Sequence, residues 1–179
     1  METLQARIEE ARQTKVIIDG NKVQRVGKGS IDLGGIAKGY FLKKAAEILK
    51  AKRVDKYLLN VGSSSMLLGD SNIGDGSFEI NPKGHQNQKF YAKSTSLSTS
   101  SIDQQSYVID DVTYSHIIDP HDGNAIPNYD MVTFIGEDPC FLDAATTACM
   151  HMDADQIKSL GLKGFALSGE DVKYRYGLD

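Results

Sequence analysis

No run of apolar residues in this sequence is long enough to cross a bilayer as a helix. There is no basic stripe of the kind a nucleic-acid binder carries: 20 Lys and Arg stand against 24 Asp and Glu, with both signs spread along the chain and a formal charge of -4. Cysteine is scarce. Cys140 and Cys149 are not spaced like a metal site, and one helix can carry both without letting them meet, so they read as reduced core residues. The opening "METLQARIEEARQ" is charged and helical in pattern, which is not a signal peptide as written and leaves the location of the protein unknown. What remains is an ordinary globular balance, 40% hydrophobic and 25% charged, in 179 residues that suit a single domain over 1–179 with a core of ordinary size.

The common catalytic and nucleotide motifs are also missing. "VGKGS" has the Gly-Lys of a phosphate loop, but position 22 is lysine where the earlier glycine must stand. Gly34, Gly35 and Gly39 do not have dinucleotide-fold spacing. "GSSSM" at 62–66 lacks the second glycine of a hydrolase elbow. No zinc-protease pair of histidines lies at helical spacing.

The order of elements is mixed α and β. Residues 2–12 read as a helix, and "KVIIDGNKVQRV" reads as a hairpin about Asp19-Gly20-Asn21. Ile36, Tyr40, Ala45, Ile48 and Leu49 mark one face of a helix running to about Lys52, and "KYLLNVG" a short buried strand. "SSMLLGD", "SFEIN", "KFYAKS", "SLSTS" and "QSYVIDDVTYSHIID" follow as strands, the last with a turn at Asp110-Asp111, and then "YDMVTFIG". Asp138-Pro139 opens a helix as cap and first residue. "GFALSGEDVKYRY" is a closing hairpin, and residues 82–89, "PKGHQNQK", are the most loop-like stretch.

Three clusters carry chemistry. "SIDLGGIAKGY" sets two glycines before a helix start with Lys38 behind them; free N–H groups and a full charge suit an anion, while the plain alternative is a tight strand-to-helix turn with a solvated lysine. "HIIDPHDG" gathers His116, Asp119, His121 and Asp122, a metal or proton-shuttle group or else a polar turn in which Asp119 bonds its own backbone. "DAATTACM" puts Asp143 and Thr147 four apart on one helix face among alanines. That pair could hold a hard cation such as Mg²⁺, but taken alone it reads first as a threonine bonded back to a helix carbonyl and an Asp in a first turn.

Taken in order, "DLGGIAKGY", "LLNVG", "HIIDP" and "DAATTA" resemble the FAD:protein FMN transferase family, also called ApbE-like. The resemblance implies an α+β, T-fold-like domain with a mixed or antiparallel sheet packed against helices. It implies Mg²⁺ and the substrate FAD, cleaved to release AMP while FMN is joined to a threonine of a target flavoprotein, or hydrolysed to FMN and AMP. It assigns Lys38, Gly34, Gly35, His116 and Asp119 to the flavin nucleotide, with Asp119 alternatively shaping its loop. Gly35 (through its backbone carbonyl), Asp143 and Thr147 fall to the metal, and His116 and Asp143 to catalysis.

The resemblance also marks departures. The chain matches the C-terminal two-thirds of the family's usual length, without the preceding region or the export or lipoprotein signal common among extracytoplasmic members. Ser63, Ser64 and Ser65 follow "NVG" where Gly then Asp or Asn is typical; His121 replaces Arg, and Ser100-Ser101 replaces Ser-Gly. Each change removes a charge or a backbone freedom near the expected site. A second function class therefore stays open, a non-catalytic flavin-binding or scaffold domain with a weakened site. The missing N-terminal region further implies an open sheet edge, covered most simply by a symmetric homodimer.

Overall fold

The computed structural model describes residues 3–71, 74–82 and 85–178. In chain order the elements are α1 (Leu4–Gln13), β1 (Lys15–Asp19), β2 (Lys22–Val26), α2 (Ala37–Ala51), β3 (Leu58–Val61), β4 (Ser65–Leu68), β5 (Phe78–Ile80), β6 (Phe90–Ala92) and β7 (Thr95–Ser101). Then come β8 (Ser106–Ile109), β9 (Val112–Ser115), β10 (Met131–Gly136), α3 (Pro139–Cys149), α4 (Ala154–Ser159), β11 (Lys163–Ser168) and β12 (Asp171–Tyr176). The chain divides into two compact units, Met1–Asp32 with Gln105–Pro127, and Leu33–Gln104 with Asn128–Asp179.

The first unit holds α1 and two hairpins. Thr3 caps α1 by accepting from the Ala6 N–H. β1 and β2 pair antiparallel about Gly20, whose φ of 55° closes the tight turn. Their apolar alternation does not mark a buried face, because every residue of both strands is exposed. β8 and β9 turn on Asp110 and Asp111, both left-handed at φ 50° and 61°, a conformation that Asp tolerates better than most residues.

The second unit is built on a six-stranded antiparallel sheet in the order β12-β11-β10-β7-β4-β3. α3 lies over β7, β10 and β4, with α2 beside it. The hairpin of β5 and β6 closes the opposite face, where Ile80 and Phe90 join Leu68, Leu97, Met131, Phe165 and Leu167 in the core. Asp138 caps α3 by accepting from the Cys140 and Phe141 N–H groups, and Pro139 occupies its first turn. Both cysteines lie on α3 as free thiols. Cys149 is fully buried, which pushes its pKa up to about 11, while Cys140 is only half-buried.

Two expectations need correction. β3 is an edge strand, not a buried one, with Leu58 46% exposed. On α2, Ile36, Tyr40 and Ile48 are exposed, and the inward face is Gly39 and Leu42 with half-buried Ala45 and Leu49. The reason is steric. A Cβ at Gly39 would stand 2.1 Å from the Pro139 carbonyl oxygen, so α2 meets α3 backbone to backbone at a residue with no hydrophobic signal. α4 is opened by a reciprocal capping box of Asp153 and Gln156. Within 82–89, Lys83 and Gly84 lie outside the described residues, and Gln86–Gln88 form a short 3-10 turn. Among the described residues, no helix is long and apolar enough to cross a membrane.

The β3–β4 turn explains one departure from the family pattern. Gly62 and Ser63 both adopt left-handed backbone, at φ 63° and 58°, and the Asn60 side chain accepts from the Ser63 N–H. A non-glycine residue there costs about 1–2 kcal/mol, partly offset by the greater unfolded freedom of glycine. Ser63→Gly is therefore expected to stabilise the protein by about 1 kcal/mol, a Tm rise of roughly 2–4 °C for a chain of this size. A Tm at or below wild type in thermal unfolding would show that the Ser63 backbone carries no such strain.

Candidate active site

The site grows from Asp143, in the second turn of α3 and so not a first-turn carboxylate. Its side chain is 3% exposed. A buried carboxylate demands partners, and Asp143 has several. Oδ1 accepts from the hydroxyls of Ser65 at 3.2 Å and Ser98 at 3.1 Å. Oδ2 accepts from the Gly39 N–H at 3.1 Å. The Lys38 ammonium stands 3.3 Å from Oδ1.

The N-terminus of α2 is therefore an anion site of an unexpected kind. Several of the N–H groups at this end are taken rather than open: those of Ile36 and Ala37 go to the Leu33 carbonyl, and that of Gly39 goes to Asp143. The anion at this helix end is the protein's own carboxylate. No strand leads into the helix, and Lys38 is not a solvated lysine. Its side chain is 31% exposed, its stem runs near Gly62 of the β3–β4 turn, and its ammonium reaches both Asp143 and, at 3.4 Å, the Gly34 carbonyl.

Thr147 stands one turn beyond Asp143. Its hydroxyl donates to the Asp143 carbonyl at 3.2 Å, the back-bonded arrangement of a helical threonine, and its oxygen lies 3.2 Å from the Ser100 hydroxyl. A Cβ built at Gly35 would sit 3.4 Å from that same Thr147 oxygen. Neither Gly34 nor Gly35 has positive φ, and the Gly35 backbone lies beside the Thr147 side chain with room for ordinary contact. The structure thus brings Gly34, Gly35, Lys38, Asp143 and Thr147 together within one unit.

Ser65, Ser98, Ser100 and Thr146 belong to the same cluster and were missed from the sequence. Ser100 donates to Thr146, which itself bonds the Asp143 carbonyl. Alternation in "STSLSTSS" was the available signal: Ser98 and Ser100 share a strand face and both point to α3. One of the altered stretches, Ser63–Ser65, therefore contributes to the cluster, as does Ser100, the serine that the family pattern also has. Ser65 holds Asp143, and Ser100 holds the two threonines.

His116 and Asp119 lie in the other unit. The Nδ1 of His116 is 2.9 Å from the Gln105 carbonyl oxygen. Since a carbonyl only accepts, Nδ1 carries the proton, which leaves Nε2 as the acceptor of the neutral ring. Asp119 accepts from the His121 N–H at 2.7 Å, and its backbone bonds Asn124 and Gly123 in a closed turn. Asp119 thus shapes its loop in the way an Asx turn does.

Among the described residues, no group of three or more His, Cys, Asp or Glu side chains is placed to hold a metal. The cluster at Asp143 offers a different set, one carboxylate with hydroxyl and carbonyl oxygens. All are hard donors, and one or two carboxylates completed by substrate phosphates is how proteins commonly hold Mg²⁺. Against the other face of the sheet lies a cavity of about 600 Å³ lined by Ser64, Met66, Leu97, Thr99, Met131 and neighbours, with Asp103 the only charged residue among the described ones that line it. The Asp143 cluster, which sets Lys38 beside a carboxylate and hydroxyl oxygens, is the better candidate for a phosphate and its cation.

A model of the ApbE family matches residues 1–164. A FAD:protein FMN transferase of Klebsiella pneumoniae (strain 342) is 30% identical over 169 residues, covering 86% of this chain and 49% of the relative. The chain spans about half the length of that curated relative. The ApbE protein of Thermotoga maritima superposes with a TM-score of 0.80 at 26% identity, over 98% of this chain and 62% of that one. Pseudomonas stutzeri flavinyl transferase ApbE, at 23% identity and a TM-score of 0.72 over 88% of this chain and 52% of its own, shares the fold. A family match over most of the chain and the common antiparallel sheet with its helices agree: this chain belongs to the ApbE family.

Proposed function

We propose that this chain carries out Mg²⁺-dependent cleavage of FAD, transferring FMN to a threonine of a target flavoprotein or, with water as acceptor, releasing FMN. The supporting observation is the convergence of Asp143, Thr147 and the Gly35 backbone beside Lys38, a hard-oxygen set next to a cation. The name of the Klebsiella relative supplies the reaction. In the transfer, the acceptor oxygen bonds to the FMN phosphorus as the bond from that phosphorus to the bridging oxygen breaks. The bridging oxygen leaves with AMP, and the acceptor proton passes to a base.

Gly35, Asp143 and Thr147 are the residues that would hold Mg²⁺, which would supply positive charge to the phosphates. Lys38 binds the nucleotide by a charge-assisted contact. His116 is the candidate base, with Gln105 fixing the tautomer that leaves Nε2 able to accept.

The test is incubation with FAD and Mg²⁺. AMP release that stops in EDTA is the expected result. FAD binding without AMP release would instead favour the flavin-binding scaffold. A cation-independent rate would remove the metal from this reading.

A symmetric dimer belongs to the same proposal. β3 and β12 are the edges of the large sheet, and open edges seek partner strands. Light scattering behind size exclusion is expected to show a dimer that dissociates on dilution, and a monomer at every concentration would exclude it.

A further inference from the structure

The Lys38–Asp143 pair carries more than nucleotide binding. Asp143 is buried with a full negative charge, and among the described residues Lys38 is the only cation within ion-pair distance of it. The two ends of the pair are unlike. Asp143 is fixed by Ser65, Ser98 and the Gly39 N–H. Lys38 is about one-third exposed, on a flexible stem, and its ammonium sits between a carboxylate oxygen and the Gly34 carbonyl. Those are the oxygen types a divalent cation takes.

We propose that Lys38 and a divalent cation are alternative counter-ions of Asp143. Without metal, the ammonium neutralises the carboxylate and keeps α2 and α3 joined. When a divalent cation takes the carboxylate, the two positive charges repel. Lys38 then swings toward solvent, the side from which an anionic nucleotide arrives. Cation entry thereby arms the lysine for phosphate, and nucleotide and cation bind with positive coupling. The inference rests on the metal assignment of the proposed function.

The test compares wild type with Lys38→Met in thermal unfolding, in EDTA and in millimolar Mg²⁺ or Mn²⁺, with no nucleotide present. In EDTA, Lys38→Met is expected to melt several degrees below wild type, because its buried carboxylate has lost its counter-charge. The cation is expected to raise the Tm of the variant more than that of wild type, and Mn²⁺ titrated by calorimetry should bind the variant about tenfold more tightly. Lys38→Arg, which keeps the charge, should restore the EDTA stability. If Lys38→Met folds only when Mg²⁺ is supplied, the exchange is supported in its strongest form; failure to fold even then overturns it.

Equal Tm values in EDTA overturn the proposal, since Asp143 would then need no cation. A clear cation shift of the same size in both proteins also overturns it, while leaving the metal assignment standing. No cation shift in either protein defeats the metal assignment itself, and the exchange with it.

Discussion

Asp143→Asn is expected to abolish cation-dependent release of AMP from FAD while leaving a folded protein. The substitution keeps the shape of the side chain and one oxygen, so the hydroxyls of Ser65 and Ser98 retain an acceptor. It removes the charge that a divalent cation requires and the counter-ion of Lys38. Electrostatic groups of this kind contribute about 3–4 kcal/mol at the transition state, or a loss of ~10²–10³-fold in rate. Both Asp143→Asn and Asp143→Ala take the acceptor from the Gly39 N–H, but the alanine also removes the oxygen that Ser65 and Ser98 share, so stability should fall less for the asparagine, by about 1–3 kcal/mol. Measuring AMP with and without EDTA separates the effects. A variant that still releases AMP in an EDTA-sensitive way, within about a factor of ten of wild type, would move the metal away from Asp143.

Much of the architecture was legible because local chemistry and fold agree there. The Asp110-Asp111 turn, the Asp138-Pro139 helix start and the closing hairpin about Gly169 each follow from a backbone preference that no distant contact overrides. The residues of the site motifs were legible through resemblance, and Asp143 and Lys38 stand together as its logic requires. The serines were not. Ser63, Ser64 and Ser65 looked like losses because sequence spacing says nothing about which residue in a turn faces a helix in another part of the chain. In the fold, Ser65 grips Asp143, whereas Ser63 carries the backbone strain. The buried face of α2 was misread for a related reason. Hydrophobic periodicity finds faces that pack side chain against side chain, and this helix packs through a glycine.

That glycine sets the second large effect. Gly39→Ala improves intrinsic helix propensity by about 1 kcal/mol, so on a free helix it would stabilise. Here the new methyl would lie 2.1 Å from the Pro139 carbonyl oxygen and 2.7 Å from the Cys140 Cα, both backbone atoms that no rotamer change can move aside. α2 must shift away from α3, at the upper end of the usual overpacking cost, about 3 kcal/mol. That corresponds to a Tm loss of roughly 6–12 °C at this chain length. The shift also lengthens the Gly39 N–H bond to Asp143 and draws Lys38, one residue before, out of reach of the carboxylate. Stability and FAD cleavage should therefore fall together. Gly136→Ala is the control: it lies outside the α2–α3 contact, and its Cβ would meet Leu142 at an ordinary 3.5 Å, so little change is expected. A Gly39→Ala protein that melts at or above the wild-type temperature would show that the two helices have room to separate, and that close backbone contact is not what seats Asp143 at the end of α2.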